Sequence, residues 1–182
     1  LRTLARPILR GLVGEVNEAA SVAVMDGSDV MYAERVQAGL TQLGVDVRIG
    51  SRVPAYSSAV GQAILAWLPR EAQLRVLRGQ PLIKRTATTL TDIDALVQRL
   101  DTVRARGYAV SDQENVSGVY VVAAPVFDID GLPIAALSVA APDWQTRLQQ
   151  FETGTAGAVM QAASTLARAL QATGGYASST AK

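Results

Sequence analysis

Neither cysteine nor histidine occurs anywhere in the 182 residues. Disulfides, thiol catalysis, Ser–His and Cys–His nucleophilic pairs and the commonest zinc sites are thereby excluded. Lysine is almost missing too, since Lys84 and Lys182 are the only two. The net charge is +1 and no dense Lys/Arg run exists, so this segment carries no electrostatic footprint for nucleic acid. The acids are scattered without calcium-loop spacing, and no phosphate-loop motif is present. No apolar run approaches the length that spans a bilayer. The opening LRTLARPILR lacks the charged start and apolar core of a signal peptide. These absences predict a cytoplasmic protein with no membrane partner, metal or cofactor. The first residue is not Met, so a piece of a longer protein is expected.

What is present is enough for a core. Hydrophobic residues make up 49% of the chain, and the length suits one domain. That domain is expected over residues 1–173, with 174–182 (GGYASSTAK lies here) as a disordered tail. Apolar spacing predicts a helix over 1–15, with Leu4, Ile8, Leu9 and Leu12 on one face. Arg2, Arg6 and Arg10 form a basic stripe on it, read either as a solvated face or as part of a linker helix. Strands are expected at 19–25 and 30–36, joined by the turn Asp26-Gly27-Ser28-Asp29. Leu43, Val45, Val47 and Ile49 alternate with polar residues, which predicts another strand. Helices are expected at 58–68, at 69–78 with Pro69 in the first turn and Gly79 at the stop, and from a capping box opening at Thr91 to Gly107. Strands follow at 108–111, 119–127 and 132–141, the last two joined by Asp128-Ile129-Asp130-Gly131. Pro125 should lie at an edge or a bulge. A long helix over 144–170 closes the pattern. The sum is an α+β domain: an antiparallel sheet of five to six strands flanked by helices.

Catalytic material is thin. Ser57 and Ser58 have no His to activate them. Lys84 sits in a polar loop, and Asp112 and Glu114 lie two apart on another, where carboxylates are usually solvated. No enzyme is expected. A binding module fits better. The stretch SRVPAYSSAVGQAILAWLP, residues 51–69, runs from a Pro-marked loop through a serine N-cap into a helix start of small residues, Ala59 and Gly61. Helix N-termini attract anions through free N–H groups, so Ser58–Gly61 reads either as a carboxylate site or as a tightly packed helix start. Strands 119–124 and 134–141 offer apolar lining with Tyr120 and Ser138, and loop 111–117 would add donors if it folded over the sheet. Ser138 is equally a tolerated core hydroxyl.

Three blocks, in order, carry a resemblance: GEVNEAASVAVMDGSDVMYAERV, IGSRVPAYSSAVGQAILAWLP and TLTDIDALVQRLDTVRARGYAVSDQENVSGVYVVAAPVFDIDGLPIAALSVAAP. The chain resembles, over about residues 1–170, the effector-binding domain of IclR-type bacterial transcriptional regulators. The version around SRVPAYSSAVGQ is similar to the branch that regulates aromatic-acid (β-ketoadipate type) catabolism. The resemblance implies a GAF-like fold, with a curved sheet, helices on one side and a loop-closed pocket on the other. It implies a winged helix-turn-helix domain outside this chain, through which the protein would bind DNA. It also implies a small organic acid effector and a homodimer or homotetramer. Carried residue by residue, it places Val53, Ala59 and Val60, then Ser111, Val119 and Val121, then Ser138 and Ala140 in the pocket. Ser58 and Gly61 belong to the same helix start, and Arg52 just before it reads either as a bidentate carboxylate partner or as an exposed side chain. Ser111 stands where the family can hold Asp, Ala140 where it can hold Ser and Val121 where it can hold Cys. The pocket should therefore be less acidic and more apolar, suited to an aromatic or branched acid. Some relatives hold zinc here, which the missing His and Cys make unexpected. The leading expectation is a ligand-sensing domain that allosterically controls an upstream DNA-binding domain. The alternative is a free-standing GAF-like sensor coupled to another output.

Overall fold

A computed structural model describes residues 1–38 and 48–174. Its described elements, in chain order, are α1 (Arg2–Val16), β1 (Ala19–Asp26), β2 (Asp29–Val36), β3 (Arg52–Pro54), α2 (Ala59–Leu65), α3 (Arg70–Arg78), α4 (Ile93–Arg106), β4 (Ala109–Asp112), β5 (Val119–Phe127), β6 (Pro133–Pro142) and α5 (Leu148–Ala172). The six strands form one antiparallel sheet in the order β3-β2-β1-β6-β5-β4. The two hairpins turn where the Asp/Gly clusters stand. Between them, β1 and β6 pair at the centre and join the chain's two halves.

Both faces of the sheet carry helices, which corrects the expectation of helices on one side only. On one face α1 and α5 pack over Val22, Val122, Leu137 and Val139 with Leu9, Leu12, Phe151, Val159 and Leu166. On the other, α2 and α4 cover Ala23, Ala123 and Ala136 with Val60, Ile64, Leu96 and Leu100. Two apolar faces on one sheet demand two covers, because exposed sheet area this apolar would cost roughly 25 cal/mol per Å². Tyr120 therefore faces α5, stacked on Phe151 with ring centroids 6.3 Å apart, and not a pocket. The buried stripe of α1 is Ala5, Leu9 and Leu12, with Leu4 and Ile8 at its margin. The helix runs through Pro7 and ends at Asn17 in the left-handed region. Its basic stripe is not simply solvated: Arg2 and Arg6 lie 3.7 and 3.3 Å from Glu34, a carboxylate buried on β2.

Several boundaries shift for local reasons. Asp92, not Thr91, caps α4, its carboxylate accepting from the Ala95 N–H at 3.0 Å. Pro69 precedes α3 as its N-cap. The turn 143–146 delays α5 to Leu148. Pro125 lies beyond Ala123, the last β5 residue paired to β4, so β5 is locally an edge there. The strand expected at 43–49 lies mostly outside the described residues, and its described end, Arg48 and Ile49, leads into a turn. The expected tail, beyond residue 174, is likewise outside them.

Candidate functional site

A cavity of about 160 Å³ opens on the α2 face of the sheet, between its strands and the loops at 80–90 and 111–118. Its lining is Ser21, Tyr32, Arg35, Val53, Arg85, Ser111, Asn115, Val116, Val119, Val121, Ser138 and Ala140. Pockets for drug-sized ligands hold about 300–1,000 Å³, so this one has the size for a molecule smaller than those.

Strand register explains its floor. Arg35 lies opposite Ser21, and Ser21 opposite Ser138, on adjacent strands β2, β1 and β6. One level on, Ala140 faces Val121, and Val121 faces Ser111, on β6, β5 and β4. Directly opposed side chains stand about 4.5–5.5 Å apart. The floor is therefore graded, with a polar row toward β2 and an apolar row toward β5. The period of two along each strand puts the alternate residues, Val122 and Val139, in the other core.

A bulge on β2 supplies two of the polar groups. Val22 pairs with Glu34 and Ala23 with Tyr32, so Ala33 is left over. The extra residue inverts the alternation. Tyr32 and Arg35 both reach the cavity, while Glu34 points to α1. Desolvation raises the Tyr32 phenol above its ordinary pKa of 10.0, against a weaker opposite pull from Arg35. Among the described residues the lining holds two arginines and no carboxylate, a charge balance suited to an anion. Among the same residues it holds no imidazole or thiolate, and no three His, Cys, Asp or Glu cluster anywhere. This donor set does not fit zinc.

Of the residues singled out from sequence, Val53, Ser111, Val119, Val121, Ser138 and Ala140 come together in this lining. Arg52, Ser58, Ala59, Val60 and Gly61 do not. Arg52 is half exposed and ion-paired with Asp26 on the neighbouring hairpin. Ser58 is the N-cap of α2, its hydroxyl accepting from the Gly61 N–H at 3.2 Å. That bond uses a donor an anion would need. Ala59, Val60 and Gly61 are buried in the core beneath. The packed-helix-start reading of this segment is the one the geometry fits.

The surrounding loops are tied to each other. The Ser57 hydroxyl donates to Asn115 Oδ1 at 3.1 Å. The Tyr56 hydroxyl donates to the Ile83 carbonyl at 2.7 Å and accepts from the Ile83 N–H at 2.9 Å. Glu114, expected to be solvated, is buried and bonded to Arg99 at 2.6 Å. Desolvation raises its pKa above the usual carboxylate range, and Arg99 offsets part of that. Ser21, Tyr32, Arg35 and Arg85 were not foreseen. No sequence signal marks a bulge, and Arg85 sits in a polar loop with no periodicity.

Comparison with known proteins gives one answer. The family model described as "Bacterial transcriptional regulator IclR C-terminal" matches residues 1–168. The Pca regulon regulatory protein of Pseudomonas putida is 35% identical over 136 residues, which is 74% of this chain and 46% of that one. The inducer-binding domain of the PobR transcription factor from Acinetobacter, a double mutant in complex with 3-hydroxybenzoic acid, superposes with a TM-score of 0.84 at 27% identity. The match covers 92% of this chain and 97% of that one. An IclR homologue from Microbacterium hydrocarbonoxydans, complexed with 4-hydroxybenzoate, gives a TM-score of 0.82 at 26% identity, covering 94% of this chain and 68% of that one. The chain spans about half the length of the curated relatives it matches. Those relatives are transcriptional regulators, not enzymes.

Proposed function

This chain belongs to the IclR family of bacterial transcriptional regulators as the C-terminal domain, and from that premise we propose that it senses a small aromatic acid in the cavity above β1, β2, β5 and β6. The observation that carries the reading is the composition of the cavity: Arg35, Arg85, Tyr32 and three serines for a carboxylate and ring hydroxyl, with Val53, Val116, Val119, Val121 and Ala140 for an apolar body. The hydroxybenzoates bound by two structural relatives have that chemistry.

Occupancy then controls DNA binding by a winged-helix domain elsewhere in a cytoplasmic protein, as a population shift between arrangements that differ in acid affinity. β2 is the natural transmitter. Arg35 and Tyr32 face the acid, while the intervening Glu34 holds Arg2 and Arg6 of α1 on the opposite side. A small rotation of β2 toward the ligand therefore moves the helix nearest the start of the chain. No described helix is long and apolar enough to cross a membrane.

A thermal-shift panel of pyruvate, benzoate, 3- and 4-hydroxybenzoate and neutral benzyl alcohol tests the sensing step. Saturating acid at about 100 times Kd adds about 2.7 kcal/mol, or roughly 5–10 °C in Tm for a domain of this size. Aromatic acids should raise Tm and benzyl alcohol should not. A flat response to every acid would sink the reading. The regulator also assembles as a homodimer or homotetramer. Light scattering of the chain should return at least twice its 19.1 kDa mass, and a monomer across micromolar concentrations contradicts that.

A further inference from the structure

Arg85 differs from the rest of the cavity lining in how it is held. It comes from the loop at 80–90, not from the sheet, and it is exposed. Among the described residues its guanidinium has no hydrogen bond or ion pair. Its backbone, by contrast, is fixed. The Thr89 hydroxyl, itself buried, accepts from the N–H groups of Arg85 at 3.1 Å and Thr86 at 2.9 Å. The same hydroxyl donates to the Glu114 carbonyl at 2.7 Å. Two neighbours repeat the pattern: Thr86 Oγ1 donates to the Gln113 carbonyl and Thr88 Oγ1 to the Asp112 carbonyl, each at 2.7 Å. Three threonines thus close on three successive carbonyls. Glu114, in turn, is anchored to Arg99 of α4.

This clasp makes one cap from two loops, and among the described residues Arg85 is the charged group it contributes to the lining. We propose that Arg85 is the specificity-determining residue that selects the carboxylate of the effector, and that Thr89 is its positioning residue. The inference rests on the reading that an aromatic acid occupies this cavity. The orientation follows from desolvation. A carboxylate driven into the valine-lined end would lose its hydration with little return. At the mouth it keeps water on one side and meets a guanidinium able to bond it in parallel. The ring then lies inward over Val119, Val121 and Ala140. Because the clasp has already ordered the Arg85 backbone, only the side chain remains to be fixed on binding.

Calorimetric titration with 4-hydroxybenzoate and its neutral analogue 4-hydroxybenzamide separates charge selection from general binding. Arg85→Gln should raise Kd for the acid about 10- to 100-fold, the scale of a lost charge-assisted hydrogen bond, and change Kd for the amide less than about threefold. Thr89→Val should lower the acid-to-amide preference in the same sense by a smaller factor, and Thr89→Ser, which keeps the hydroxyl, should restore it. On the Arg85→Gln background, Thr89→Val should leave the preference unchanged, since the group it positions is gone. A purely structural Thr89 would weaken acid and amide equally, which overturns its positioning role. Wild-type protein that binds the acid while Arg85→Gln binds it equally well overturns the assignment of Arg85 alone. Wild-type protein that binds neither compound removes the underlying hydroxybenzoate reading as well.

Discussion

Replacing Ser138 with Leu should abolish acid binding, by at least about 100-fold in Kd, while the domain stays folded. Ser138 stands at the centre of the cavity floor, opposite Ser21 on β1 and Ala123 on β5. It is 4% exposed, so its side chain has nowhere to go except into the cavity. An isobutyl group there takes space from a volume of about 160 Å³ that must hold a whole aromatic acid. It also removes a hydroxyl from the polar row. The fold should tolerate the change because the new atoms enter empty space rather than a packed core. Filling a cavity commonly adds 0.5–2 kcal/mol, roughly, to stability. The unliganded Tm should therefore hold or rise while the acid-dependent shift disappears. Ser138→Ala is the control: it deletes the hydroxyl, keeps the space, and should weaken binding only about tenfold or less. A Ser138→Leu protein that titrates with acid like wild type would put the effector somewhere else.

The fold was legible where local chemistry acts alone. The Asp/Gly turns, the αL cap at Gly107 and the apolar runs of β5 and β6 each announce themselves, because a turn or a cap is decided by neighbouring residues. The apolar half of the cavity came from the family resemblance, which placed Val119, Val121 and Ala140 there; the strand read by itself offered Tyr120 as lining, although alternation sends it with Val122 to the opposite face. Ser138 of the polar row was named from its strand, but Tyr32 and Arg35 were not. Their common side depends on the bulge at Ala33, which period-two counting cannot detect, since the residue that breaks register is an ordinary alanine. Arg85 depends on long-range hydroxyl bonds to residues 112–114. Nothing local in the sequence says which carbonyls a run of threonines will find. The Ser58–Gly61 segment was open to two readings, and its packing fits one of them. A serine before small residues has the sequence of an anion site, yet here the serine satisfies the helix itself and the small residues serve close packing.

That close packing yields the largest expected loss of stability. Gly61→Ala should destabilise the domain by about 3 kcal/mol, the upper part of the range for overpacking a well-filled core. Alanine normally improves a helix over glycine by about 1 kcal/mol, so the sign must come from space. A Cβ on Gly61 would lie 2.7 Å from the Ala55 carbonyl carbon and closer still to its Cα and oxygen. These are backbone atoms of a buried residue, not the end of a flexible side chain, and relief requires moving the chain between β3 and α2. That segment carries Tyr56 and Ser57, whose hydroxyls hold Ile83 and Asn115 over the cavity. The displacement should therefore reach the site, raising acid Kd as well as lowering Tm by roughly 5–12 °C. Gly157→Ala on α5 is the matched comparison: nothing lies within 4 Å of its added Cβ, and it should be neutral or stabilising by up to about 1 kcal/mol. Chemical denaturation of the two variants decides between packing and propensity. If both shift alike, the approach of α2 to Ala55 is not what requires glycine at position 61.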